Sequence, residues 1–400
     1  MESARFSLRG LSVRITPITK VAVVGLAAAL ALAACSNSKK ATNTTTASQT
    51  YKIGFEGPLS GDNAQLGINE VNAVELAVEQ ANAKSDLGFK LALVKSDDVG
   101  DPAKAPAAAA VLQQDATILG VIGPSFSGAT KAVGASYDAA GLVLISPSAT
   151  NPALTTLGFK SFHRVVPPDS LEGQEAGEYL LKKSKKVFVV DDLSDYGKGA
   201  ADAVEAAVKA GGGSVTRQGV DAKTTDYSVI AQAVKASGDG ALFYGGYDTQ
   251  AGQFAKALKT AGYTGLTMTG NGGKSSKFTA AAGDAGNGWY FSCGCLDATV
   301  APQAKDFNTA YKAKFNTDPS TYSPEAYDAT NALISAISTA AKSGTATRKA
   351  VWDAVNALDY KGITTQIKFL PSGEVSAQVI NLYQQKDGTI GLIGDIKSAS

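Results

Sequence analysis

The sequence predicts an α/β protein of two doubly wound lobes. Short apolar runs alternate with helix-length amphipathic runs from Tyr51 to about residue 160, and the alternation restarts after Leu171. The two series are separated by Phe162-His163-Arg164-Val165-Val166-Pro167-Pro168-Asp169, whose paired prolines suit an extended crossing between domains. Strands alternating with helices imply a parallel sheet covered on both faces, and 400 residues exceed one ordinary core.

In the first series, Tyr51–Phe55 alternates apolar and polar residues and reads as a strand. Gly57-Pro58-Leu59-Ser60-Gly61-Asp62 is a loop, and a helix follows from about Ile68 to Ala83, with Val71, Val74, Leu76, Ala77 and Val78 on its buried side. Phe89–Val94 is the second strand, ending in Lys95-Ser96-Asp97-Asp98; Pro102 opens a helix through Gln113, as proline is tolerated in a first turn. Ile118–Ile122 is a third strand. Gly123-Pro124-Ser125-Phe126-Ser127 is a turn, Lys131–Ala140 a helix, Leu142–Ile145 a fourth strand, and Ser146-Pro147-Ser148-Ala149-Thr150 a second turn.

The second series runs helix Leu171–Leu181, strand Lys186–Val190, helix Ala200–Ala210 stopped by Gly211-Gly212-Gly213, and strand Ser214–Val220. Helix Tyr227–Ala236, strand Ala241–Tyr244, helix Gln250–Ala261 and strand Leu266–Thr269 complete it. Beyond the cysteines, helices are expected over Ala304–Phe315, Ser323–Ser343 and Thr347–Leu358, then strands over Thr364–Phe369 and Val375–Tyr383. The chain is expected to return to the first lobe for these helices and cross once more near the end. The expected division is 51–168 with 296–376 against 169–295 with 377–400.

Residues 1–34 read as a targeting segment. Arg5, Arg9, Arg14 and Lys20 precede an apolar run, Val21–Ala34, too short for a typical bilayer span. Leu32-Ala33-Ala34-Cys35 resembles the bacterial lipobox, in which the cysteine becomes the lipidated first residue. The polar stretch 35–50 then reads as a flexible tether. This places the mature protein outside the cytoplasmic membrane, held by its lipid. Of the remaining cysteines, Cys293 and Cys295 read as a local disulfide of an exported protein, with free thiols as the other reading. Two cysteines and one distant histidine, His163, do not make a metal site.

Charge is balanced, 37 basic against 36 acidic residues, which argues against nucleic acid as a partner. Enzyme motifs are incomplete. Gly123-Pro124-Ser125-Phe126-Ser127 lacks the last glycine of a hydrolase elbow. Gly273-Lys274-Ser275 lacks the leading glycine of a phosphate loop, Met268 standing there, and no dinucleotide fingerprint follows the first strand. No catalytic residue, cofactor or metal is therefore expected. Both hydroxyl-bearing turns, at 123–130 and 146–152, fall at carboxyl ends of predicted parallel strands, where ligands of open α/β sheets bind. One such turn reads most simply as a helix cap. Two turns one crossover apart read as a grip on a small carboxylate or phosphate.

The ordered segments Gly57-Pro58-Leu59-Ser60-Gly61, Ser96-Asp97-Asp98, Ile122-Gly123-Pro124-Ser125, Ser146-Pro147-Ser148-Ala149-Thr150-Asn151-Pro152, Asp195-Tyr196-Gly197, Tyr244-Gly245-Gly246-Tyr247 and Ser323-Pro324-Glu325-Ala326-Tyr327-Asp328 span both lobes. In these, the chain from Tyr51 to about Gly391 resembles the type I periplasmic binding proteins. It is most similar to the branched-chain amino acid (Leu/Ile/Val) group that serves ABC importers, in the lipid-anchored Gram-positive form. The resemblance implies two Rossmann-like lobes on a three-strand hinge, a monomer, and a small ligand delivered to a membrane permease. A ligand-sensing receptor for another small carboxylate or amide is the alternative. By the same resemblance Ser127, Ser148 and Thr150 hold the ligand's α-carboxylate, Tyr196 and Tyr247 close over it, and Leu66 and Tyr322 fall near its side chain. Asn271 stands where the family usually has the acid that pairs with the α-ammonium. Asp248 or Glu325 is then expected to supply the charge, or the ligand has no ammonium, or an amino acid is held with Asn271 and Tyr247 as neutral partners.

Overall fold

The computed structural model describes residues 49–399; the expected targeting segment, Cys35 and nearly all of the tether lie outside the described residues. The first series forms β1 (Thr50–Gly57), α1 (Ala64–Ala83), β2 (Lys90–Asp97), α2 (Ala105–Gln114), β3 (Ile118–Ile122), α3 (Ser127–Ala139), β4 (Val143–Ser146) and β5 (Phe162–Arg164). The strands make one parallel sheet in the order β2-β1-β3-β4-β5. Every residue of β3 and β4 is buried, as expected of strands covered on both faces.

The second series forms α4 (Asp169–Lys183), β6 (Lys186–Asp191), α5 (Asp195–Ala210), β7 (Ser214–Gly219), α6 (Ser228–Ser237), β8 (Ala241–Gly245), α7 (Asp248–Ala261), β9 (Leu266–Thr269), α8 (Ser276–Ala282) and β10 (Tyr290–Cys293). Its parallel core repeats the first winding, β7-β6-β8-β9-β10. In this strand order ligands sit where the winding reverses. The two reversal points lie between β1 and β3 and between β6 and β8, at their carboxyl ends.

After β10 come α9 (Lys305–Phe315), α10 (Ser323–Lys342) and α11 (Arg348–Asn356), which pack on α1, β3 and β4. The chain thus returns to the first sheet for these helices. A small pair, β11 (Tyr360–Lys361) and β12 (Gln366–Ile367), follows. Then β13 (Asn381–Lys386) and β14 (Thr389–Asp395) extend the second sheet antiparallel beside β10. The strand expected over Val375–Tyr383 is displaced: Val375 makes a single bridge to Phe369, and pairing resumes only at Asn381. Residues 376–380 cross between the sheets: the Ser376 N–H still donates to Lys368 O at 3.0 Å and Ile380 O accepts from the Ile396 N–H at 3.1 Å, but no ladder forms along them. Strands β10 and β14 and helix α8 were not expected. Helices α3 and α5 start earlier than expected, α5 because Ser194 caps it by accepting from the Gly197 N–H at 2.9 Å.

The chain passes between the sheets three times, and Val165 with Pro167, Gly294 to Leu296, and Ala377 with Val379 line one shared pocket there. Cys293 and Cys295 are joined by a disulfide at the second passage. Arg164, the last residue of β5, is fully buried. Its Nη1 donates to Ala149 O at 3.0 Å and Asn151 O at 2.9 Å; its Nε donates to Glu374 Oε2 at 2.8 Å and its Nη2 to Glu374 Oε1. Removing one member of such a pair strands the other charge and two carbonyls. Arg164→Ala is expected to destabilise the protein by about 3–5 kcal/mol, and Arg164→Lys, which cannot fork, by a smaller but clear amount; urea unfolding midpoints at matched m-values check this.

Candidate functional site

The two turns of the first sheet are stitched into one surface. Ser146 Oγ donates to Pro124 O at 2.7 Å, and Ser148 Oγ donates to Ser125 O at 2.7 Å. Ser127, in the first turn of α3, accepts from the Asn151 N–H at 3.2 Å. Thr150 lies between the two carbonyls that Arg164 holds, and its buried Oγ1 has no partner. The structure thus brings Ser127, Ser148 and Thr150 together at the carboxyl ends of β3 and β4.

The second sheet meets this surface. The Tyr247 ring stacks on Phe126 of the first lobe at 4.3 Å and tilts against Tyr196 at 5.2 Å. Tyr196 OH accepts from the Gly272 N–H at 2.9 Å, which ties α5 to the turn after β9. Leu66, Phe126 and Tyr322 share one buried apolar cluster with Tyr244 and Phe254 of the second lobe, and Tyr247 packs against it. Tyr322 precedes α10 with φ 68°, a conformation side-chain-bearing residues rarely adopt, and its hydroxyl is buried without a partner. Polar contacts also bridge the lobes. Asn63 Nδ2 donates to Asp248 Oδ1 at 2.7 Å, Asn151 Nδ2 donates to Asp195 O at 2.5 Å, and Lys131 pairs with Asp195 at 2.7 Å. The lobes are closed on one another.

Asp248 and Glu325, the acids expected to stand in for position 271, are placed elsewhere, although Glu325 keeps one buried oxygen, Oε2, without a partner. Asp248 accepts from Asn63 and Thr249 on Oδ1 and from Ser275 on Oδ2. Glu325 accepts from the Leu296 N–H at 2.7 Å and lines the pocket at the crossings. The carboxylates at Asn271 come instead from α4. Glu172 accepts from the Asn271 N–H at 3.0 Å, Asn271 Nδ2 at 2.7 Å and Ser292 Oγ at 2.9 Å. Asp169 opens α4, its N–H donating to Thr150 O at 2.9 Å, and both its carboxyl oxygens are buried without a partner. Burial, with Glu172 nearby, pushes Asp169 up to about 8; burial pushes Glu172 up to about 7 against the pull of its donors. Sequence reasoning missed this pair. The sequence shows only two acids three residues apart at a helix start after Pro168, a placement the helix dipole alone accounts for.

The chemistry of hydrolysis is not assembled. Ser125 Oγ donates to Glu70 at 2.5 Å, while His163 is buried elsewhere, its ring nitrogens on Ser161 O at 3.0 Å and Asn356 Oδ1 at 2.9 Å. Behind Ser125 lie three buried carboxyls, Glu56, Glu70 and Asp98, each with one unpartnered oxygen.

The family model of the periplasmic binding proteins matches residues 50–389. The chain belongs to the periplasmic binding protein family. This binding protein is 31% identical over 349 residues to a Leu/Ile/Val-binding protein homolog of Brucella melitensis, covering 84% of this chain and 92% of that one. It is 30% identical over 355 residues to the leucine-, isoleucine-, valine-, threonine- and alanine-binding protein of Pseudomonas aeruginosa, covering 86% and 92%. Among solved structures, it is similar to the branched-chain amino acid transporter substrate-binding protein of Streptococcus pneumoniae in complex with isoleucine. That similarity has a TM-score of 0.79 and 28% identity, covering 86% of this chain and all of that one, 100%. The fold is that of the type I periplasmic binding proteins, as the sequence predicts.

The buried acids of this binding protein give its stability a distinctive pH dependence. Burial raises Glu56 and Glu70 from 4.5 to about 8 and Asp98 from 3.8 to about 6. In each case the folded form holds a proton that the unfolded chain releases. Their contribution is therefore full below the unfolded values and is lost as pH rises through the folded ones. Ligand-free protein is expected to lose stability between about pH 5 and pH 8, and Glu70→Gln to flatten that slope. Urea midpoints across this range read the effect; a wild-type profile that rises instead would contradict it.

Proposed function

We propose that the chain is an extracytoplasmic, lipid-anchored solute-binding protein of an ABC importer that takes a small amino acid, a branched-chain one in the first instance. Residues 51–168 with 296–376 close against 169–295 with 377–400, and the closed form docks on the membrane permease. Among the described residues no helix is long and apolar enough to cross a membrane. Attachment then falls to Cys35. Relatives whose names state leucine, isoleucine and valine binding support the ligand class.

The observation that carries the reading is Asp169. A buried carboxylate with two unpartnered oxygens, beside the unpartnered Thr150 hydroxyl, calls for a cationic donor from outside the chain. In this reading Ser127, Ser148 and Thr150 take the ligand's carboxylate, and Asp169 its ammonium. Tyr196 and Tyr247 cover the ligand, and Leu66 and Tyr322 border its side chain. The α-ammonium left in doubt by Asn271 thus has a counter-charge.

A thermal-shift panel of leucine, isoleucine, valine, other amino acids, their keto acids and aromatic carboxylates tests this. A true ligand at a hundred times its Kd is expected to stabilise by roughly 2.7 kcal/mol, and the keto acids not at all. Asp169→Asn is expected to weaken the amino acid roughly ten-fold or more. Affinity is expected to rise with pH towards about 8, because the ammonium favours Asp169 ionised. Keto acids that stabilise as well as amino acids would sink the reading. Separately, Cys35→Ser is expected to abolish labelling by a radioactive fatty acid and release the protein into the medium.

A further inference from the structure

Asn271 is neutral, yet both its donors are committed to one carboxylate. Its N–H and Nδ2 grip the two oxygens of Glu172, at 3.0 and 2.7 Å. The third donor at Glu172, Ser292 Oγ, is also neutral, so the carboxylate keeps its whole charge when ionised. Glu172 and Asn271 are both buried. With one hydrogen of the NH2 end on Glu172 and the other towards Asp169, Oδ1 is the end of the amide that neither acid engages. Asp169 lies against the same amide, and Tyr196 OH is held by the neighbouring Gly272 N–H at 2.9 Å. Asn271 therefore stands between Glu172 and the closed face of the site.

We infer that Glu172 and Asn271 act as one anionic unit, in which Glu172 carries the charge and fixes the amide, and Asn271 presents its carbonyl oxygen to the ligand's ammonium group. The acid usual at position 271 has in effect moved one residue back from the ligand, onto α4. Glu172 is a positioning residue here, since it acts through Asn271. The inference rests on the proposed amino acid ligand and specifies how that ligand is told apart from its ammonium-free analogues.

Hydrogen bonding to a charged group sets the expected size. Glu172→Gln should weaken leucine roughly ten- to a hundred-fold and leave 2-hydroxy-4-methylpentanoate, the analogue with a hydroxyl for the ammonium, nearly unchanged. Asn271→Ala should lower the leucine-to-hydroxy-acid ratio in the same direction while leaving the Glu172 side chain itself in place. The decisive variant is the transposition Glu172→Gln with Asn271→Asp. It keeps the side-chain hydrogen bond with donor and acceptor exchanged and returns the charge to position 271, so leucine preference should recover. A buried group with only a structural role would change the melting temperature and not this ratio. Calorimetric titration of each variant with leucine and the hydroxy acid reads the outcome. Recovery in the double variant supports the inference. Wild-type discrimination in Glu172→Gln, or in Asn271→Ala, overturns it, as does a double variant no better than the single. A wild-type protein that prefers the hydroxy acid overturns the amino acid reading itself, and this inference with it.

Discussion

Arg164 sets the geometry on which the site depends. It ends β5, at the first passage between the lobes, and its guanidinium is wholly buried. One edge of the fork meets Glu374, just before the third passage, and Nη1 reaches the carbonyls of Ala149 and Asn151. Gly373 O also accepts from the Arg164 N–H at 3.0 Å. A single planar cation therefore fixes two crossings and the turn that carries Thr150 in one frame. Buried ion pairs add little net stability, because desolvation offsets attraction, but they specify one arrangement among several. Here the arrangement specified is the angle between the hinge and the ligand-facing turn. Any rotation of the lobes must pivot around a turn whose carbonyls are already committed.

Closure over that frame is built from weak parts. Beside the apolar cluster of Leu66, Phe126 and Tyr322 with Tyr244 and Phe254, the bridging contacts include an amide on a carboxylate (Asn63 to Asp248), an amide on a carbonyl (Asn151 to Asp195), a part-exposed ion pair (Lys131 with Asp195) and one ring stack (Phe126 on Tyr247). Each contributes on the order of 1 kcal/mol or less against solvent competition. Such a set leaves open and closed forms close in free energy. A ligand then decides between them by its differential affinity for the closed form. The proposed closure on ligand would rest on this balance.

The fold was legible because both sheets repeat one winding, and each strand of that winding ends in a turn with its own composition. Gly123–Ser127 and Ser146–Thr150 announced themselves by hydroxyls at strand ends, and the structure stitches them together beside the reversal between β1 and β3. Short or unpatterned elements were not legible. Strand β10 has only four residues, too few to show an alternation although Gly286-Asn287-Gly288 marks a turn before it, and residues 376–380 look like a strand by composition while serving as a crossing. Asp169 and Glu172 were hidden for a different reason. Acids in a first helical turn are expected from the helix dipole alone, so nothing in their spacing marks them as facing a closed cleft. Only the placement of α4 beside Thr150 and Asn271 does so.

The two lobes then make opposite demands on protons. Glu70 accepts from Ser125, whose carbonyl in turn holds Ser148, so it lies directly behind the turn proposed to take the ligand's carboxylate. An ionised Glu70 would repel that anion, and burial keeps its proton on up to about 8. Across the cleft, Asp169 must lose its proton to meet an ammonium. Burial resists the loss until a cation arrives, and the cation then supplies the interaction that water no longer can. A neutral acid beneath the hydroxyl turns and an ionisable one at the head of α4 together form a polarity that suits a zwitterion held in one orientation. A ligand with only the carboxylate would leave Asp169 buried and unpaired, and one with only the cation would leave the hydroxyl turns without an acceptor. The closed site is thus selective through what it would leave unsatisfied as much as through what it grips.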